Sequence, residues 1–90
     1  MDKEQTLNQI LDYLNKVKTR TTYGVVAELL GVIPQSVGQH LGEKRPEVSW
    51  VVNGTTKEPT GYSEAEKHPD LYRTDRVIES AEVIRRNLGW

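Results

Sequence analysis

The sequence predicts a mainly α-helical single domain, residues 1–90, whose helical part is followed by a small β-hairpin. Three observations carry that expectation. Apolar residues recur at helical spacing near the N-terminus, Gly31 and Pro34 punctuate two further short helical stretches, and after Pro46 a β-rich run leads into Asn53-Gly54.

The first helix is expected over about residues 3–18. Leu7, Ile10, Leu11, Leu14 and Val17 form one apolar stripe, and Asp2 with Gln5 matches a capping box. The β-branched run from Thr19 interrupts that pattern as a short extended segment. A second helix runs from about Val25 to Leu30 and stops at Gly31, a natural residue after a helix end. Pro34 suits the first turn of a third helix, about 34–42, because its missing N–H would have no partner there. Residues 48–52 read as a strand, Asn53-Gly54 as a tight turn and residues 55–58 as the return strand, ended by Pro59. Residues 60–73 read as a loop with one short helical turn at most. A last helix is expected over about 75–88, with Thr74 as N-cap and Val77, Ile78, Ala81, Ile84 and Leu88 on its buried face. Three helices, a two-stranded wing and a closing helix make the plan of a winged helix-turn-helix.

Charge and composition narrow the function. The formal net charge is −1, with six basic and five acidic side chains up to residue 46 and six against eight beyond it. Two basic clusters, 16–20 and 43–45, flank the second and third helices; they read as phosphate contacts or as solvated patches. The chain has no cysteine, so it has no disulfide, thiolate metal site or thiol nucleophile. His40 and His68 are too few and too ill-spaced for a metal site, and no cofactor is expected. No run approaches the ~20 apolar residues of a membrane span, and the polar N-terminus lacks a signal-peptide core. A cytoplasmic monomer without enzymatic activity is expected.

The third helix carries the most informative pattern. Val37 and Leu41 are four apart and point inward, which leaves Gln35, Gly38, Gln39 and Gly42 outward, with Ser36 at the edge. A mid-helix glycine costs up to about 1 kcal/mol relative to alanine. Two explanations compete: close approach of a partner to the backbone, or packing of Gly38 against the second helix. A slim Gln/Gly face suits the minor groove, only about 6 Å wide, better than the major groove.

At TTYG (21–24), VAELLG (26–31) and PQSVGQHLG (34–42) the chain resembles the DNA-binding domain of alkylguanine-DNA alkyltransferases. It resembles equally their non-enzymatic relatives, the alkyltransferase-like proteins. The likeness continues through WVVNG (50–54) and TGYS (60–63), and covers about residues 7–63. It implies minor-groove binding, with the second helix of the motif inserted and a target nucleotide turned out of the stack. Tyr23, beside Thr22, would help rotate the neighbouring phosphate. Gln35 stands where the family has an arginine that fills the vacated stack; its amide can bond the orphaned base without a charge.

The family's Pro-Cys-His-Arg-Val element is replaced by Glu47-Val48-Ser49-Trp50-Val51-Val52. Aligned on the valines, Trp50 takes the arginine slot; aligned on the aromatic, it takes the cysteine slot. Either register lacks a thiolate, so alkyl transfer to cysteine is excluded.

The expected DNA-binding residues are therefore Thr22, Tyr23, Gln35, Ser36, Gly38, Gln39, Lys44 and Arg45. Trp50 and Tyr62 are candidates for walls of a base pocket or for core packing. The expected partner is duplex DNA, intact or damaged, with the repair machinery as the implied protein partner. Two alternatives stand beside this: a protein-interaction module that has lost DNA binding, and a transcriptional regulator reading the major groove with Gln35 and Gln39.

Overall fold

Helix α1 (Lys3–Val17) begins where Asp2 and Gln5 cap each other: the Gln5 N–H donates to Asp2 Oδ1 at 2.8 Å, and the Asp2 N–H to Gln5 Oε1 at 3.2 Å. It ends at Lys18, which turns left-handed (φ 54°) and donates its N–H to the Leu14 carbonyl. Leu7, Ile10, Leu11 and Leu14 are buried as the stripe requires, but Val17, the last residue of the helix, is 39% exposed. The computed structural model describes residues 2–90, a mainly helical domain of four helices around a small three-stranded sheet.

The segment after α1 is the centre of that sheet. Strand β1 (Arg20–Thr22) is followed at once by α2 (Tyr23–Leu30), which starts earlier than the expected Val25 because Thr22 caps it, accepting the Val25 N–H at 3.2 Å. Gly31 closes α2 in the left-handed region (φ 72°), and the turn through Ile33 leads into α3 (Pro34–Leu41). Helices α2 and α3 pack together, with Val26, Ala27, Leu30, Val37 and Leu41 buried.

Beyond Gly42 the structure departs from the expected wing. Residues Pro46–Val48 form a 3-10 turn, and only Val51–Val52 remain as strand β2. Strand β2 pairs with β1 in parallel register, Thr21 opposite Val51. Asn53-Gly54 does turn the chain, yet no return strand follows it. Asn53 Oδ1 accepts the N–H groups of Thr55 and Thr56 at 2.7 and 3.2 Å, and Lys57 is left-handed (φ 62°), so residues 53–58 fold on themselves. An Asx turn with a positive-φ residue cannot run as a second strand.

The other edge of β1 is taken by β3 (Val77–Ile78), also parallel. These two residues were expected in the last helix, whose observed span, α4, is Ala81–Leu88 with Ser80 rather than Thr74 at its N-cap. Val77 and Ile78 fit the apolar period of that helix, but their β-branched side chains also suit a strand. Thr21 Oγ1 anchors the pair by donating to the Ile78 carbonyl at 2.9 Å. Arg20, 6% exposed, clamps the flanking loops through Nη bonds of 3.0 Å to the Lys57 and Thr74 carbonyls. No helix among the described residues is long and apolar enough to cross a membrane.

Candidate nucleic-acid interface

A cleft of about 450 Å³ opens between α3 and the 60–62 loop. Five of the expected site residues line it: Tyr23, Gln35, Gly38, Lys44 and Tyr62. Pro34, Leu41, Gly42 and Thr60 complete the wall. Pro34 and Leu41 make part of it apolar, a contribution the polar outer stripe of α3 did not suggest. Thr60 is carried in by the same TGYS segment that supplies Tyr62.

Each side chain arrives by local chemistry. Tyr23 is the first residue of α2 and is fixed by the Thr22 cap. Tyr62 follows Gly61, whose left-handed backbone (φ 74°) turns the loop toward α3. Burial, and then the neighbouring Tyr23, push the Tyr62 hydroxyl up to about 12; like any phenol it is neutral at physiological pH and can both donate and accept. The Lys44 ammonium lies over Gly61, where an added Cβ would meet Nζ at 3.0 Å. It forms no ion pair within 4 Å among the described residues, although its charge helps hold the Glu66 carboxyl below its ordinary value, chiefly set by the Ser63 backbone bond.

Gly38 settles one of the two competing explanations. It is exposed, and a Cβ built on it meets no heavy atom within 4 Å outside its own helical turn. The glycine is therefore not required by packing against α2. Gly42 is different: its φ of 73° with ψ −137° favours glycine by backbone conformation alone.

The remaining expected residues fall elsewhere. Gln39 and Arg45 line a separate hollow of about 370 Å³ with Glu4, Asn8 and His40, on the α1 side of α3. Arg45 pairs with Glu47 at 3.4 Å. Ser36 is half-buried outside the cleft wall, its N–H bonded to the Ile33 carbonyl, and the Thr22 hydroxyl is engaged in capping α2.

Trp50 is not a pocket wall. It is completely buried, its Nε1 donates to Asn15 Oδ1 at 2.9 Å, and its ring tilts against His68 at 4.7 Å between centroids. Asn15 is held in turn by bonds from Nδ2 to the Leu11 and Glu47 carbonyls. The indole is thus a core residue with its polar atom satisfied internally.

One residue of this region was not singled out by the sequence: Ile33, at the N-cap of α3, is 64% exposed. Its signal was an apolar side chain in a position that favours Ser, Thr, Asp or Asn. No protein-family model, curated protein or solved structure matches the chain.

Proposed function

We propose that this protein is a non-enzymatic DNA-binding domain that offers the outer face of α3 to the minor groove of duplex DNA, as alkyltransferase-like proteins do. In this reading α2 and α3 act as a helix-turn-helix, and the cleft receives a base turned out of the stack, intact or alkylated. Tyr23 and Tyr62 supply ring surface beside it, Gln35 an amide for the orphaned partner base, and Lys44 a phosphate contact.

The observation that carries the reading is Gly38. It is a helix-interior glycine on the cleft wall with open space in front of it. Alanine there would favour the helix and would fit, so nothing inside the chain calls for the bare backbone, which supports close approach by something outside it. The major-groove alternative keeps Gln35 and Gln39, four apart on α3, as its readers, but it gives the open space at Gly38 no role.

The test is a titration of two matched duplexes, one plain and one carrying an alkylated guanine. Binding at low ionic strength is expected, weakening with a shallow salt slope because few basic side chains are available. Preference for the alkylated duplex supports lesion recognition; equal binding leaves DNA binding without it. Failure of both duplexes to bind at ~20 mM salt, where screening is weak, would overturn the reading. Gly38→Arg is expected to abolish minor-groove binding, whereas stronger binding by that variant would favour the major groove.

A further inference from the structure

We infer that the C-terminal end of α1 is a docking surface for an acidic peptide segment that carries an apolar anchor residue. The site is separate from the α3 face and does not depend on the DNA-binding reading. Two hollows meet there and share Lys16 and Val17. One, of about 400 Å³, is lined by Lys16, Val17, Lys18, Arg73 and Thr74. The other, of about 440 Å³, lies between α1 and α4 and takes its apolar wall from Tyr13, Val17 and Leu88.

The first hollow is more cationic than the fold requires. Lys16 complements the α1 dipole, and Lys18 Nζ reaches the Asn15 carbonyl at 3.5 Å and Asp70 at 3.6 Å. Arg73 has no such role. It comes from the loop before β3, is exposed and, like Lys16, forms no ion pair within 4 Å among the described residues. Next to Thr74 stands a further cation: buried Arg20 donates from Nη2 to the Thr74 carbonyl, has no ion pair within 4 Å among the described residues, and keeps Nε without a partner. Asp12, in the second hollow, is the one carboxylate of the two linings among the described residues. Charge complementarity therefore calls for an anionic partner.

The second hollow decides which anion. Val17, 39% exposed, and Leu88 set apolar surface beside the cations, in a concavity that a side chain can fill. The phosphate backbone of a duplex brings charge but no such side chain. A lipid surface receives protruding apolar groups and inserts none into a groove. A peptide with carboxylates beside a Leu or Trp supplies both, giving the apolar centre and charged rim of a protein interface. Lys16 lies roughly 18 Å along α1 from Glu4, which lines the hollow shared with α3, so α3 stays free when the segment docks.

The probe is a short fluorescein-labelled peptide of Glu and Leu with one central Trp, titrated with the full chain by anisotropy while amide shifts map where it binds. Saturable, salt-sensitive binding is expected, with shifts centred on Tyr13, Lys16, Val17, Arg73 and Leu88. Arg73→Glu should weaken it about fivefold or more, since an attraction becomes a repulsion. Lys3→Glu, the same charge change at the far end of α1, should leave it intact. Val17→Ser, at an exposed position, should keep Tm and weaken binding about threefold or more. Both site variants should retain duplex binding through α3, so this inference and the DNA-binding reading fail separately. The inference falls if the peptide does not bind at ~20 mM salt or if the shifts lie elsewhere. It falls equally if a peptide with Lys for Glu, or one with Ser for Leu and Trp, binds as well. Shifts at these residues from a duplex or from phosphatidylserine vesicles, but not from the peptide, would also overturn it.

Discussion

Trp50 and Tyr62 are both aromatic residues that the sequence allows in a base pocket, and the fold treats them oppositely. The indole is sealed under α1, its N–H bonded to Asn15 and its ring against His68. The phenol is half-buried on the wall of a cleft that it shares with Tyr23, Gly38 and Lys44. Around Trp50 the chain completes its own contacts. Around Tyr62 it leaves a bare helix backbone at Gly38 and, in Lys44, an ammonium with no ion pair among the described residues. Residues that serve the fold are recognised by a neighbour inside the chain that explains them, and the proposed partner-facing residues lack one.

The largest test of that contrast removes the indole. Trp50→Ala should cost about 3–5 kcal/mol through lost burial and an unfilled cavity, and it orphans the Asn15 Oδ1 acceptor. For a domain with about 5–15 kcal/mol in hand, urea titration should show a sharply lowered midpoint or no folded baseline. A loss below about 1 kcal/mol, with the fold intact, would place Trp50 outside the core and dissolve the comparison.

The same contrast explains what could be read from the sequence. Helices α1, α2 and α3 were legible because their signals are local: the Asp2–Gln5 box, Gly31 and Pro34 lie within a turn of the ends they mark. The sheet was not. Its strands β2 and β3 are two residues long, too short to alternate, and each is defined by pairing with β1 across a long stretch of chain. Asn53-Gly54 announced a turn correctly but could not announce that both edges of β1 would be filled in parallel. The site divides differently. Tyr23, Gln35, Gly38 and Lys44 line one cleft with Tyr62, which the sequence paired with Trp50 instead, and the burial of Trp50 depends on Asn15, a partner on α1 that no neighbouring residue signals.

A smaller effect, with a more telling sign, is expected at Gly38. Alanine should stabilise the protein by up to about 1 kcal/mol, since the helix gains propensity and the added methyl meets nothing. The same methyl should weaken duplex binding severalfold by keeping the groove from the helix backbone. Thermal melting and the titration read these two directions separately. A variant that is more stable and binds as well as wild type would show that the open glycine has no partner.

The smallest change in stability is expected at Lys44, and there the comparison is at its finest. The side chain is exposed and without an ion pair among the described residues, so Lys44→Ala should shift stability by no more than about 0.5 kcal/mol. If its ammonium meets a phosphate, one fewer counterion is released on binding, and the slope of log K against log salt should become shallower by about 0.9. Inside the chain Lys44 has a small part in holding the Glu66 carboxyl below its ordinary value, after the Ser63 bonds. Were the lysine there to serve the fold, its loss would register in the melting curve and leave the salt slope unchanged. A shallower slope with an unchanged melting curve assigns it to the partner.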